Sequence, residues 1–264
     1  MTQHRPRKRF SQNFLVDRHY IARIIDALGL QRDDRLVEIG PGRGALTRPL
    51  LERVDQLTVI EIDRDLAEAL RSEHPSSRLS VIAADALTID LGALGSGLRV
   101  VGNLPYHISS PLLFHCAQYL PHIVDLHFML QAEVVERMAA DAGAPAYGRL
   151  SVSLQAAFAV EKLFTVPAGA FHPVPAVESA LVRLTPLGAA RPFVQDQDVF
   201  EAIVAAGFGQ RRKTLKNALQ RHIDSEALRQ LGIDPGSRAE TLPVAAFAAI
   251  ANAVALAQRS RLES

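Results

Sequence analysis

The feature that most constrains the fold is a series of short apolar runs, each closed by a glycine turn or a polar side chain. Leu36-Val37-Glu38-Ile39 reads as a strand, Gly40-Pro41-Gly42-Arg43-Gly44 follows it, and a helix is expected to open at Ala45. Leu57 to Ile60 reads as a second strand ending at Glu61, and Leu79 to Ala83 as a third that runs into Asp85. Leu98 to Val101 is a fourth, closed by Gly102 and followed by Asn103-Leu104-Pro105-Tyr106. Helical stretches separate these strands. Strand, glycine turn and helix repeated in this way predict an open α/β sheet, whose ligands bind at the carboxyl ends of the strands.

At such an edge each polar group has a chemical use. Glycines let the backbone approach a ligand closely. Glu61, about 20 residues past the glycine turn, is placed to accept hydrogen bonds from ribose hydroxyls. A carboxylate at Asp85 can accept from an adenine amine. The Asn103 side-chain carbonyl can accept from an exocyclic amine, Pro105 fixes the backbone so that nearby carbonyls accept a second hydrogen, and Tyr106 offers a stacking face. Each residue alone also fits a plainer role: an exposed strand end, a turn, or a core tyrosine. The ordered set is the more specific signal. The glycine spacing G-x-G-x-G departs from the dinucleotide fingerprint G-x-G-x-x-G, which disfavours a nicotinamide-dependent oxidoreductase.

Further along, Asp17 is expected to cap a helix carrying Ile21, Ile24, Ile25 and Leu28 and ending at Gly29. Asp63 caps another through Leu66 and Leu70. Ser109 to Tyr119 reads as a helix, Val124 to Leu130 as a strand, and Ala132 to Ala140 as a helix. Leu150 to Phe158 and Val160 to Val166 read as the two strands of a terminal hairpin, and Ala180 to Leu184 as a strand. Before this last strand, Phe171-His172-Pro173-Val174-Pro175 forms a stiff extended segment, presenting Phe171 either rigidly to a ligand or to the core. Composition shifts to Gly, Ala and Pro near Pro186 to Pro192, which suggests domains over 1–187 and 188–264. The second is helical: Val199 to Ala206, Leu215 to His222, Glu226 to Leu231 and Pro243 to Ala257.

A net charge of +1 says little about a nucleic-acid partner, so local clustering carries that inference. Two clusters stand out: Arg5, Arg7, Lys8 and Arg9, and Gln210-Arg211-Arg212-Lys213-Thr214-Leu215-Lys216. Cations at a helix start oppose the dipole preference, which points to a polyanion, with a solvated basic face as the alternative. The single cysteine, Cys116, excludes an intramolecular disulfide and fits a reducing compartment. No secretory leader or membrane-length apolar run is expected, so the reading is cytoplasmic. The histidines lack zinc-like spacing, and no metal is expected.

Taken jointly, these stretches resemble the rRNA adenine N6-dimethyltransferase family, in its small-subunit branch. The resemblance runs through Arg9-Phe10-Ser11-Gln12-Asn13-Phe14-Leu15, Glu38 to Gly44, Glu61-Ile62-Asp63, Asp85, Asn103 to Tyr106, Phe171 to Pro175 with Val177 and Ser179, and Gln210 to Leu215. Ser11 stands where the family usually has glycine. The resemblance implies a Rossmann-like methyltransferase domain followed by a small all-α domain. It implies S-adenosylmethionine held by Gln12, Asn13, Leu15, Gly40, Gly42, Glu61, Ile62, Asp85, Ala86 and Asn103. It implies chemistry at Asn103, Pro105, Tyr106 and Phe171, and RNA contacts from Arg7, Lys8, Arg9, Arg211, Arg212, Lys213 and Lys216. The implied partner is small-subunit rRNA within the 30S-type particle, met by a monomer. A DNA adenine methyltransferase would need a larger base-recognition region. A large-subunit rRNA enzyme would share nearly everything up to Leu184, and the segment Gln210 to Leu215 favours the small subunit. The intact Asn103-Leu104-Pro105-Tyr106 argues against a binding-only assembly factor.

Overall fold

The structure, a computed structural model, describes residues 13–105, 108–210 and 212–262. In chain order the elements are β1 (Phe14–Leu15), α1 (Arg18–Leu28), β2 (Arg35–Ile39), α2 (Thr47–Arg53), β3 (Leu57–Glu61), α3 (Arg64–Glu73), β4 (Leu79–Ala83), β5 (Leu98–Asn103) and α4 (Ser109–Cys116). They continue with β6 (Ile123–Gln131), α5 (Ala132–Ala139), α6 (Arg149–Gln155), β7 (Phe158–Val166), β8 (Phe171–His172), β9 (Ser179–Pro186), α7 (Gln197–Phe208), α8 (Leu215–Ala218), α9 (Ser225–Gln230) and α10 (Val244–Leu262).

Seven strands form one sheet in the order β4-β3-β2-β5-β6-β9-β7. The five from β4 to β6 run parallel, and β9 pairs antiparallel with β6. The expected α/β class holds. The chain steps outward from β2 to β3 and β4, then returns to β5 on the other side of β2. That reversal leaves a crevice at the carboxyl ends of β2 and β5. Gly102 permits it: a Cβ there would sit 2.5 Å from the Ile39 carbonyl oxygen, so only glycine lets β5 lie this close to β2.

Local sequence explains the flanking helices. Asp17 caps α1 by accepting from the His19 and Tyr20 amides at 2.8 and 3.4 Å, and Gly29 closes the helix with φ 57°. Ile24, Ile25 and Leu28 bury the inner stripe of α1. The buried core of this part includes Leu50, Val54, Leu57, Val59 and Leu70.

Two compact units emerge, one of residues 1–135 and 160–186, the other of 136–159 and 187–264. Residues 136–159, expected in the first domain, therefore pack with the helical unit. The reason is local. Leu150 to Phe158, expected as a strand, is mostly helix α6, whose Val152 belongs to a buried cluster with Phe200, Ile203, Val204 and Phe247. The Tyr147 hydroxyl donates to the Leu242 carbonyl at 2.9 Å, and the Gly143 amide to the Glu240 carbonyl at 2.7 Å. With 150–155 helical the expected hairpin does not exist, and β7 lies beside β9 instead. The helix expected from Ala45 starts at Thr47, because the glycine turn continues through Leu46. The helix expected over Leu215 to His222 is only the single turn α8.

Candidate active site

The glycine turn after β2 takes left-handed φ values at Gly40 (68°), Gly42 (55°) and Gly44 (75°). A Cβ on Gly42 would press on the Phe14 ring at 3.1 Å. The Gly40 amide donates to the Ile60 carbonyl at 2.9 Å, which ties the turn to the end of β3. Beneath it a cavity of about 280 Å³ opens at the crevice between β2 and β5.

Asn13, Leu15, Gly40, Gly42, Glu61, Ile62, Asp85, Ala86, Asn103, Pro105 and Phe171, all expected site residues, line this one cavity. Gln12, Tyr106, Arg7, Lys8, Arg9 and Arg211 lie outside the described residues. Arg212, Lys213 and Lys216 belong to the second unit, where all three stand at exposed positions around the start of α8.

Glu61 is 4 % exposed, and its carboxylate is a clamp. Oε2 accepts from the Gly42 amide at 3.1 Å and Oε1 from the Asp63 amide at 2.9 Å. Burial raises its pKa above the ordinary carboxylate value, the two amides pull it back, and Asp63 repels it further upward. Asp85 turns one oxygen onto the Leu87 amide at 3.0 Å, capping the short turn that carries Ala86. Asn103, at the last residue of β5, donates its side-chain Nδ2–H to the Asn13 carbonyl at 3.0 Å. That bond fixes the amide plane and turns its carbonyl oxygen the other way. The Pro105 carbonyl, expected as a free acceptor, already takes the Ile108 amide at 3.1 Å and closes a turn.

A two-residue strand supplies the remaining wall. In the β1–β8 pair, Phe14 faces His172 and Leu15 faces Phe171. Phe171 lines the cavity, yet its side chain is only 3 % exposed and packs with Leu15 in the core. Of the two sequence alternatives, this is the core position.

Sequence reasoning passed over Glu38, Phe14 and Arg43. Glu38 lines the cavity at 2 % exposure and accepts from the Thr47 hydroxyl at 2.6 Å. Burial pushes its pKa up to about 8, against the Thr47 bond and with help from Glu61. An acid inside an otherwise apolar strand was the signal available for it. The Arg43 guanidinium stacks 4.5 Å above the Phe14 ring, so the loop and the β1 wall meet over the cavity.

Carboxylate acceptors at Glu61 and Asp85, beside the glycine turn in one cavity, suit the hydroxyls and amine of an adenosine-bearing cofactor. Among the described residues no cluster of His, Cys, Asp or Glu could hold a metal ion, and no helix is long and apolar enough to cross a membrane.

Comparison with known proteins places this geometry in context. The family model described as "Ribosomal RNA adenine dimethylase" matches residues 3–256. The chain is 52 % identical to "Ribosomal RNA small subunit methyltransferase A" of Aromatoleum aromaticum, covering 97 % of this chain and 96 % of the relative. It is also 52 % identical to the protein of that name from Bordetella pertussis, covering 96 % of each. Among solved structures, the 23S rRNA methyltransferase ErmE superposes with a TM-score of 0.71 at 30 % identity, covering 92 % of this chain and 100 % of that one. A dimethyladenosine transferase from Plasmodium falciparum shares the fold, with a TM-score of 0.78 at 24 % identity over 90 % and 95 % of the two chains.

Proposed function

Because the chain belongs to the ribosomal RNA adenine dimethylase family and is an rRNA adenine dimethyltransferase, we propose that it dimethylates N6 of two adjacent adenosines in a hairpin loop of small-subunit rRNA, with S-adenosylmethionine as methyl donor. The substrate is met within the 30S-type particle by a cytoplasmic monomer, and the modification serves biogenesis of that subunit. The higher identity to relatives named for the small subunit than to the 23S enzyme supports this choice over large-subunit rRNA.

The observation that carries the reading is Asn103, held by Asn13 on the wall of a cavity that Glu61 and Asp85 also line. When bound, the donor supplies an electrophilic methyl group on a sulfonium. Glu61 would accept from its ribose hydroxyls and Asp85 from its adenine amine, with Ile62 and Ala86 lining the same cavity. The target N6 lone pair is delocalised into its own ring and is a poor nucleophile. The Asn103 carbonyl oxygen and a backbone carbonyl of the 104–105 turn grip the two amine hydrogens and favour a pyramidal nitrogen. Tyr106 and the cavity-facing part of Phe171 hold the extruded base by stacking. No side chain is needed as a strong base, because the ammonium product is acidic. Catalysis is then mostly positioning.

Asn103→Ala tests this. Single-turnover transfer of labelled methyl to small-subunit particles, with both partners saturating, should fall by at least about a hundredfold, while RNA affinity stays near normal. Near-wild-type transfer would remove Asn103 from the mechanism. Nucleoside mass spectrometry of both rRNAs from a deletion strain decides between the subunits: dimethyladenosine lost from large-subunit rRNA alone would overturn the assignment.

A further inference from the structure

On the surface of the first unit Arg32, Arg48, Arg53, Arg71 and Arg183 each pair with a carboxylate. Arg23, exposed on α1, pairs with none among the described residues. Its guanidinium lies over two rings instead, 4.1 Å from the centroid of Phe164 on β7 and 5.6 Å from that of Tyr20, one turn earlier on α1. Both rings are partly buried and packed on the core, so the platform under the cation is fixed. The exposed His19 ring meets Tyr20 edge-on at 5.3 Å. The acids on these elements are already engaged. Asp17, the cap of α1, accepts from the His19 and Tyr20 amides, Asp26 pairs with Arg53 at 3.0 Å, and Glu161 of β7 pairs with Arg183. Lys162 is a second exposed cation, two residues before Phe164 on β7.

A guanidinium held on ring faces spends none of its five N–H donors on them. Its side-chain freedom is already reduced, so less is lost when those donors meet an anion. Such a planar fork matches the oxygens of a phosphate. Its place in the chain says which phosphate. Leu15, on the cavity wall, lies two residues before the α1 cap, and β7 ends four residues before Ala170, whose carbonyl receives the Val16 and Asp17 amides at 2.9 and 3.2 Å. Phe171, the next residue, lines the cavity. Both elements that hold the cation therefore lead into the cavity wall. At 1.5 Å per residue, Arg23 stands about 9 Å along α1 from its cap. We propose that Arg23, fixed on Phe164 and Tyr20, takes a backbone phosphate of the rRNA strand beside the extruded adenosine. This rests on the rRNA substrate proposed above and extends it: the catalytic unit itself grips the RNA backbone, in addition to the basic segment of the second unit. The contact holds the strand and does not choose the base.

A contact of this kind has two signatures. Neutralising one phosphate releases counterions and adds about 0.7 to the slope of log affinity against log salt for a single strand. It also binds ground state and transition state alike, so its loss raises KM rather than lowering kcat. A guanidinium that only staples α1 to β7 gives neither.

The experiment measures binding of the full chain to unmethylated small-subunit particles across a salt series, with S-adenosylhomocysteine as the control ligand. Arg23→Gln and Arg23→Met are both neutral and can still lie on the rings. Either should weaken particle binding about threefold or more at low salt, lower the salt slope by about 0.7, and raise KM for particles more than it changes kcat. Retained S-adenosylhomocysteine affinity shows that the fold and the cavity are intact. Arg23→Lys keeps the charge and loses the fork, so it should restore the slope and only part of the affinity. Wild-type slope and KM in both neutral variants, even with a lower urea midpoint, would make Arg23 a staple and overturn the inference. A fall in kcat at unchanged KM would overturn it as well. If the wild-type protein binds the particles without salt dependence, or not at all, the rRNA reading itself fails and this inference falls with it.

Discussion

Glu61→Ala bears on both the cavity and the fold. The Glu61 carboxylate receives two backbone amides, from Gly42 at 3.1 Å and Asp63 at 2.9 Å, one on the glycine turn and one at the cap of α3. Hydrogen bonds to a charged acceptor contribute about 1.5–3 kcal/mol each. Against that stands the cost of burying the charge, which shows in the raised pKa. The two largely offset, and alanine also strands two amides. We expect a net loss of about 1–3 kcal/mol in stability, read as a lower urea midpoint at unchanged slope. If Glu61 holds the ribose as proposed, its loss should separately weaken S-adenosylmethionine by about 1.5–3 kcal/mol, roughly ten- to a hundredfold in Kd. Glu61→Gln should lie between, since its single carbonyl oxygen can keep one amide. A wild-type midpoint together with wild-type affinity for the alanine variant would refute both the clamp and the ribose contact.

Other expectations follow from the same geometry. For Glu38 the folded pKa, about 8, lies above the unfolded value of 4.5, so its contribution to stability is present below pH 4.5 and lost as pH rises through 8. Glu38→Gln should therefore gain stability over the wild type progressively across that window, by at most about 1.4 kcal/mol for each pH step of one, and show no gain at about pH 4; parallel urea curves at all pH values would contradict this. Gly102→Ala forces a methyl against the Ile39 carbonyl and should cost about 2 kcal/mol or more, seen as a lower melting temperature. Replacing Arg212, Lys213 and Lys216 together by alanine should reduce the slope of log affinity for rRNA against log salt by up to about 0.7 per cation, with S-adenosylhomocysteine binding intact. An unchanged slope would make the cluster a solvated face.

The central strands β2, β3, β5 and β6 were legible because most of their residues are buried, whichever face they point to, so they read as largely apolar runs between turn signals. Capping residues marked helix starts well: Asp17 and Asp63 stand where the structure uses them. The failure at Leu150 to Phe158 has a physical cause. Helix α6 buries four consecutive residues, Ser151 to Leu154, so its sequence carries no helical stripe, and its apolar residues alternate as a strand's would. What reveals the helix is tertiary: Gln155 Nε2–H groups reach the Met138 and Ala140 carbonyls at 2.8 and 2.9 Å. In the site, strand-end residues could be found because chain order places them at one edge. Phe14 could not, since its place in the wall depends on pairing with a segment far along the chain. The engagement of the Pro105 carbonyl by Ile108 was hidden for a similar reason, since a turn's hydrogen bond leaves no pattern in residue types.

That pairing of β1 with β8 also sets an order of events during synthesis. Phe14 and Leu15 leave the ribosome about 160 residues before His172 and Phe171, their only strand partners among the described residues. At about 5–20 residues per second, Leu15 waits roughly 8–30 s for Phe171. The five parallel strands can be complete well before then, as β6 ends at Gln131. The nascent sheet thus passes through a period with its glycine turn and acids in place but one wall of the pocket missing.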